Sequence, residues 1–150
     1  MLSLQALSDR AEIEAVMVQY VNAIDTRDFE ALTAVFTADA WIDYTAMGGI
    51  KGAFPEVKAW LAQVLPHFPA YYHLIGNVAI TVEGDAARSR SACFNPMTVR
   101  LEDGTEQTFF LGLWYHDRWQ RTEAGWRITE RVEEKCFDHN VPAALAVGTS

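Results

Sequence analysis

The second half of the chain consists of long strand-like segments joined by short turns. Three of them run from about Ala86 to Arg100, Gln107 to Arg121 and Gly125 to Phe137, and each turn between them contains a glycine and at least one acidic residue. Such short connections are typical of hairpins. With helical patterns confined to the first half, this order of elements predicts an α+β fold and not an alternating βαβ one.

A fourth strand precedes these three and ends at the turn Glu83-Gly84-Asp85. Side chains in a strand alternate between two faces. We expect one face to carry Leu74, Val78, Ile80 and Val82, and the other to carry His73, Ile75, Asn77 and Ala79. In the last strand the same alternation separates Arg131 and Glu133 from Trp126 and Ile128, so that both charged residues are predicted to form solvated cross-strand ion pairs.

The first half of the chain shows helical periodicity. A first helix ends near Asp25 and is predicted to be capped by Ser8 or Asp9. A second, short helix spans residues 29–36 with Thr26 or Asp28 as its cap, and a third spans residues 54–65 before Pro66. A strand at residues 40–44 lies between the second and third helices. The apolar stripe of the first helix contains Ile13, Val16, Met17, Tyr20, Val21 and Ile24.

Length and charge narrow the class of protein. The 150 residues fit a single domain, residues 1–150, whose last residues, about 141–150, form a tail that either covers a pocket, crosses to a partner or is disordered. A net charge of −8 argues against nucleic-acid and anionic-membrane partners. We see no signal peptide and no membrane span, which predicts a cytoplasmic protein. Its two cysteines are interpreted as buried small hydrophobic residues.

Asp25 and His73 supply the parts of a general acid/base site. Asp25 lies at the end of the first helix and His73 near the start of a strand. A carboxylate bonded to one ring nitrogen fixes the histidine tautomer and raises the basicity of the other nitrogen. Tyr20, Tyr44 and the Asn95 amide are candidates for hydrogen bonds to the negative charge that develops when a proton is removed. Core packing and helix capping are the alternative roles for these residues.

Aromatic side chains are candidates for the wall of an apolar pocket, although a role in the core or in an interface is open as well. Phe94 and Trp114 are the predicted substrate-binding aromatics, and no metal or organic cofactor is expected. His67, His116 and His139 show no ligand spacing, and there is no glycine-rich phosphate loop. The wider aromatic set is Trp41, Phe94, Phe109, Trp114 and Trp119.

The order of local motifs resembles the SnoaL-like branch of the nuclear-transport-factor-2-like (NTF2-like) superfamily, and the likeness covers nearly the whole chain. It implies a cone of three N-terminal helices packed on a curved, mostly antiparallel sheet that encloses a pocket. It also implies a homodimer. The motifs are Tyr20…Asp25, Phe36-Thr-Ala-Asp39-Ala, Lys51-Gly52, His73-x-x-x-Asn77, Gly84-Asp85-x-Ala87, Tyr115-His-Asp117 and Gly125-Trp126-Arg127-Ile128.

Catalytic members of this branch include scytalone dehydratase, bile-acid 7α-dehydratases and lindane dehydrochlorinase, which use a His–Asp pair without a cofactor. The resemblance places that pair at His73 and Asp25, and the tyrosines of the bile-acid enzymes at Tyr20 and Tyr44. This chain has Asn95 where the bile-acid enzymes have an additional acidic residue, and Tyr20 where the dehydrochlorinase has a basic residue.

The resemblance therefore implies a dehydratase-type lyase or an isomerase that acts on a small apolar hydroxylated ring compound, such as a steroid, a polyketide or an aromatic catabolite. The alternative is a non-catalytic ligand-binding or scaffold protein of the same fold, because one fold supports many functions.

Overall fold

Two α-helices and seven strands make up most of the chain in the computed structural model, which describes residues 1–145. Short 3₁₀ helices connect them at Phe29–Ala34, Thr45–Met47, Leu65–His67 and Ala143–Leu145. The main elements are α1 (Leu4–Asp25), β1 (Phe36–Asp43), β2 (Lys51–Ala53), α2 (Phe54–Val64), β3 (Ala70–Tyr71), β4 (Leu74–Glu83), β5 (Ala86–Arg100), β6 (Glu106–Thr122) and β7 (Gly125–His139).

The strands form one open sheet in the order β2-β1-β7-β6-β5-β3, and β4 also pairs with β5. Every pair is antiparallel except β1 with β7, which is parallel. The α+β class and the antiparallel meander are confirmed, and the three long strands agree with the predicted bounds to within two residues. No helix in residues 1–145 has both the length and the apolar character needed to cross a membrane.

The N-terminal helix begins earlier than predicted. Ser3, not Ser8 or Asp9, is its cap, and the Ser3 hydroxyl accepts the backbone N–H of Ala6 at 3.1 Å. Asp9 is buried instead. Its carboxylate accepts both terminal nitrogens of Arg121, at 2.7 and 2.9 Å. The cap prediction was wrong because the partner of Asp9 lies on β6, far away in sequence.

The segment between the two α-helices departs from the predicted second helix. Phe29–Ala34 forms a 3₁₀ helix, capped by the side chain of Asp28, which accepts the backbone N–H of Ala31 at 3.3 Å. Phe36 already belongs to β1, where it pairs with Ile128 of β7. The strand therefore begins four residues before its predicted start, because sheet pairing captures residues whose spacing also fits a helix.

A break in register in β4 overturns the predicted division of its faces. The pairing with β5 shifts between Gly76 and Ala79, and Asn77 has a positive φ of 48°. One extra residue in a strand reverses the alternation beyond it. Leu74 is therefore exposed, whereas Ile75 and Val78 both pack against the core.

Two similar breaks occur in β7. Opposite β6, Thr129 is an extra residue between Ile128 and Glu130, and Cys136 is an extra residue between Lys135 and Phe137. The first break reverses the alternation, so that Arg131 and Glu133 face the same side as Ile128. Cys136 is exposed, so the prediction that both cysteines are buried holds only for Cys93.

The core lies between the helices and the concave face of the sheet. Its centre is fully shielded from solvent at Ile13 and Ile24 of α1, Val57 of α2 and Ile128 of β7. Trp126 closes one end of this core, where the Arg121 guanidinium lies 4.6 Å from its ring centroid. Side chains do not fill the whole interior, and the candidate site lies in the cavity that remains.

Candidate active site

Asp25 and His73 form a direct pair. The His73 Nδ1 lies 2.7 Å from Asp25 Oδ1, and the His73 backbone N–H donates to Asp25 Oδ2 at 3.0 Å. The carboxylate accepts both bonds, so the geometry assigns the proton of the neutral ring to Nδ1 and leaves the lone pair on Nε2. The side chains are 9% (His73) and 21% (Asp25) exposed, so the pair is largely shielded from water.

Hydrogen bonds hold the segment before β4 against α1 and β5, and they position the His73 that follows it. The Tyr71 hydroxyl donates to the carbonyl of Ile24 at 2.8 Å. The Tyr72 backbone N–H donates to Pro96 O at 3.1 Å, and the Tyr72 carbonyl accepts from Asn95 Nδ2 at 2.9 Å. Asp25 stands at the C-terminal end of α1, where the helix dipole disfavours an anion. The two bonds from His73 offset that cost.

His73 lines a cavity of about 220 Å³. Most of the wall is apolar and comes from α2, the loop after β1 and the middle of β5 and β6. Polar residues line the same cavity as His73. The lining includes Met47, Trp60, Leu61, Phe68, Met97, Phe109 and Leu111 as apolar residues, and Tyr20, Tyr44, Asn95, Tyr115, Glu133, Lys135 and Asp138 as polar ones.

Tyr20 and Tyr44 meet in this cavity, and their hydroxyls lie 2.8 Å apart. Burial raises the pKa of both phenols, so each keeps its proton at neutral pH. Only one of them can donate to the other in a single bond, so one O–H of the pair is left for another acceptor. The tyrosines can thus supply a hydrogen bond to a ligand.

A tight loop after β1 holds Tyr44 in place. Gly48 has a φ of 86°, and a Cβ at Gly49 would lie 2.8 Å from the Tyr44 Cβ. Glycine at position 49 therefore permits the loop to fold back over Tyr44, whose backbone N–H donates to Ile50 O at 2.9 Å. The chain thus uses two adjacent glycines to bring the Tyr44 side chain against Tyr20.

A buried arginine lies beside the tyrosines. Arg131 is 1% exposed and forms two hydrogen bonds with Asp117, from Nε at 2.7 Å and from Nη2 at 2.8 Å. Its guanidinium carbon lies 4.2 Å from the Tyr20 ring centroid and 4.0 Å from that of Tyr115. The predicted solvated ion pair is therefore wrong, because the extra residue in β7 turns Arg131 inward.

Glu133 follows Arg131 on the same inner face and lines the cavity. It was also predicted to be solvated, and the same bulge explains the error. Burial, which disfavours the charged form, is the main cause that raises the pKa of Glu133 to about 8. Arg131 opposes this shift, Asp43 adds to it, and a backbone hydrogen bond from Met47 opposes it. The carboxyl is therefore mostly neutral at pH 7.

The predicted site residues divide into two groups. His73, Asp25, Tyr20, Tyr44 and Asn95 come together at or beside the cavity. Phe94 and Trp114 do not, because they occupy the outer face of the sheet. Of the wider aromatic set, Phe109 lines the cavity, Trp119 is buried in the core and Trp41 is exposed.

The tail contributes to the cavity wall through Val141 and Leu145. The rest of the predicted tail, residues 146–150, lies outside the described residues. Within residues 1–145 no group of three or more His, Cys, Asp or Glu side chains has a geometry that could hold a metal ion.

Sequence reasoning missed Arg131, Asp117, Glu133 and Tyr115 as parts of the site. A signal was present, because a strand that carries Trp126 and Ile128 and then a run of charged residues departs from simple alternation. That signal does not locate the bulge, however, and the location decides which charges turn inward.

The α+β fold, with its curved open sheet and its cavity, defines a protein of the NTF2-like superfamily. A His–Asp pair is among the groups at the cavity. The SnoaL-like domain matches residues 5–132, and the chain belongs to that family. A protein of Mycobacterium tuberculosis, Rv2910c, is 53% identical over 137 residues, which are 91% of this chain and 92% of that protein. Its function is uncharacterized.

Solved structures share the fold at low sequence identity. A candidate scytalone dehydratase from Novosphingobium aromaticivorans has a TM-score of 0.79 and 20% identity, over 91% of this chain and 90% of that one. The hexachlorocyclohexane dehydrochlorinase LinA type 3 from Novosphingobium barchaimii has a TM-score of 0.74 and 18% identity, over 91% and 92% of the two chains. At such identities the likeness concerns the fold.

Proposed function

We propose that the protein is a cofactor-independent lyase of the dehydratase type, or an isomerase, with a small, largely apolar hydroxylated ring compound as its substrate. Steroids, polyketides and aromatic catabolites belong to this class. The observation that carries the proposal is the His73–Asp25 pair, shielded from water and placed at a mostly apolar cavity. A ligand-binding or scaffold protein has no need of an oriented base.

The chemistry begins with a proton on a carbon next to a carbonyl. Nε2 of His73 removes it, and the Asp25 carboxylate stabilises the imidazolium that forms. Negative charge then develops on the carbonyl oxygen, where the free O–H of the Tyr20–Tyr44 pair donates a hydrogen bond. Expulsion of a hydroxyl from the next carbon completes a dehydration, whereas return of the proton to another carbon completes an isomerisation.

The lining supports the substrate class. Trp60, Phe68, Met97 and Phe109 provide flat or adaptable apolar walls, which suit a ring compound and not a highly charged metabolite. The names of the two solved relatives both denote elimination reactions, one of water and one of hydrogen chloride.

We also propose a homodimer formed through the outer face of the sheet. Leu74, Phe94 and Phe137 are exposed there and line one apolar groove. Covering such a patch stabilises an assembly by the hydrophobic effect. The molar mass in solution, measured by light scattering after gel filtration, tests this directly: twice the chain mass of 16.8 kDa supports the dimer and the chain mass contradicts it.

A bicyclic β-hydroxy ketone, 3-hydroxy-1-tetralone, tests the proposed reaction, because loss of water gives 1-naphthol, which is fluorescent. We expect His73→Ala to lower kcat/KM by about 10²–10⁴-fold, the usual contribution of a positioned base. Asp25→Asn should lower it through the same base. His116→Ala is the matched control, since His116 lies on the sheet surface paired with Glu134, and its rate should stay within about twofold of the wild type.

Two results would contradict the proposed function. One is a wild-type protein that does not convert the tetralone above the spontaneous rate. The other is a His73→Ala protein that converts it as fast as the wild type. Either outcome would favour the ligand-binding or scaffold role.

A further inference from the structure

Glu133 is a carboxyl group at the same cavity as His73 that the reaction above does not use. Its Oε2 is buried and makes no hydrogen bond with any residue in the described range. Arg131 acts on Glu133 through its charge. Its Nε and Nη2 bind Asp117, whereas its Nη1, like Glu133 Oε2, is buried and makes no hydrogen bond with a described residue. A buried carboxyl oxygen without a hydrogen-bond partner is costly, so the position of Glu133 Oε2 calls for a role.

We propose that Glu133 is the catalytic acid of this cavity and that it gives its proton to the oxygen that leaves the substrate. The inference rests on the proposed elimination, in which His73 is the base, and it names the group that completes the reaction. Without a proton donor, a hydroxyl would have to leave as hydroxide, which is a poor leaving group in an apolar cavity.

The proposed step balances in atoms and electrons. Nε2 of His73 takes the proton from the carbon beside the carbonyl, and the electron pair of that C–H bond becomes the new C=C bond. The C–O bond of the neighbouring carbon breaks with its electron pair on oxygen. That oxygen takes the proton of Glu133 and leaves as water. Glu133 ends as a carboxylate and His73 as an imidazolium, and transfer of one proton from His73 to Glu133 through solvent restores both.

The surroundings of Glu133 suit both of its states. Burial holds the proton before the reaction, since it raises the pKa of the carboxyl to about 8. The Arg131 charge and the Met47 backbone hydrogen bond favour the carboxylate that remains afterwards. A general acid is most effective when its pKa lies near the working pH.

The other polar groups at the cavity are less suited to this task. Tyr20, Tyr44 and Tyr115 have pKa values raised above that of an ordinary phenol by burial, which makes them weak acids. Lys135 is half-exposed and forms an ion pair with Asp138 at 2.5 Å.

Several groups from neighbouring elements act on the protonation of Glu133. Its carboxylate interacts electrostatically with two charged residues and with four groups that stay neutral at pH 7. Two further charged groups line the same cavity. They are Arg131 of β7, Asp43 of β1, Tyr20 of α1, Tyr44 after β1, Cys93 of β5, Tyr115 of β6, and the Lys135 and Asp138 pair.

The test compares two leaving groups in Glu133→Gln. Glutamine keeps the shape of the protonated acid but has no proton to give. With 3-hydroxy-1-tetralone we expect kcat/KM to fall by about 10²–10⁴-fold. With 3-acetoxy-1-tetralone the fall should be about tenfold or less, because acetate leaves without a proton. Glu134→Gln is the matched control, since Glu134 is adjacent in sequence but exposed on the outer face.

A measurement without substrate accompanies the kinetics. The infrared C=O band of a protonated carboxylic acid near neutral pH should appear in the wild type and in Glu134→Gln, and should be absent in Glu133→Gln. Absence of the band from the wild type overturns the proposal, and so does an equal loss of rate for both leaving groups. If His73→Ala abolishes turnover but Glu133→Gln does not lower it, Glu133 is not the acid while the base remains. If His73→Ala has no effect, the proposed elimination itself fails.

Discussion

Replacing Glu133 by glutamine should change how the free energy of unfolding depends on pH. Folding raises the pKa of this carboxyl from its ordinary 4.5 to about 8, chiefly because it removes the group from water. Between these two values the folded protein holds a proton that the unfolded chain has released. Stability therefore falls as pH rises through this interval, and the loss is complete above about pH 8.

The size of the effect follows from the width of the interval. One bound proton changes the free energy of unfolding by about 1.4 kcal/mol per pH unit. Over about 3.5 pH units, the folded wild type thus loses about 5 kcal/mol that Glu133→Gln, which does not ionise, retains. Near pH 4.5 the two proteins should differ by less than about 1 kcal/mol, because the protonated carboxyl and the amide have the same shape and neither is charged.

Urea denaturation at pH 4.5, 6, 7, 8 and 9 measures this difference. Titration of other groups affects both proteins alike and cancels in the comparison. Glu134→Gln serves as the control, because Glu134 is exposed and its removal should give a difference that varies by less than about 1 kcal/mol. A flat difference between wild type and Glu133→Gln across the whole range would refute the reasoning and mean that the carboxyl is solvated in the folded protein.

Asp117→Asn should lower the free energy of unfolding in urea by about 3–5 kcal/mol, because it leaves the charge of Arg131 buried without compensation. Asp85→Asn, which removes an exposed partner of Arg121, should cost less than about 1 kcal/mol, and equal losses would contradict this account. Asn77→Val should cost about 1–3 kcal/mol, because a branched side chain resists the positive φ at that position. Asn77→Gly should be less destabilising in the same assay, and the reverse order would argue against the bulge.

The parts of the fold that sequence could predict depend on neighbours in the chain. The turn at Gly84 and those at residues 102–104 and 123–125 carry their own backbone preference, and three of their glycines have positive φ. Helix α1 was predictable because its apolar residues recur at every helical turn along the segment. The cap of α1 was missed because Asp9 can serve either as a helix cap or as an ion-pair partner. The partner that Asp9 binds, Arg121, is 112 residues away in sequence.

The site, like the fold, was predictable only in part. The type and spacing of Asp25 and His73, together with the family resemblance, were enough to expect a pair, and the structure places them 2.7 Å apart. The charged interior was not predictable, because Arg131 and Glu133 were assigned to the solvent face by regular alternation. A single extra residue, Thr129, reverses that assignment. The register of β7 against β6 decides where the extra residue lies, and the conformational preferences of neighbouring residues do not determine that register.

The irregular strands explain how one small sheet holds both a core and a polar cavity. In β7, Ile128 faces the core, and after the bulge Arg131 and Glu133 face the same side. His73 directly precedes β4, in which Ile75 before the bulge and Val78 after it both pack against the core. Without the extra residues, each strand would have to turn either its apolar part or its polar part to solvent. The bulges give up some regular pairing so that the polar residues of the cavity can share a face with the residues that stabilise the fold.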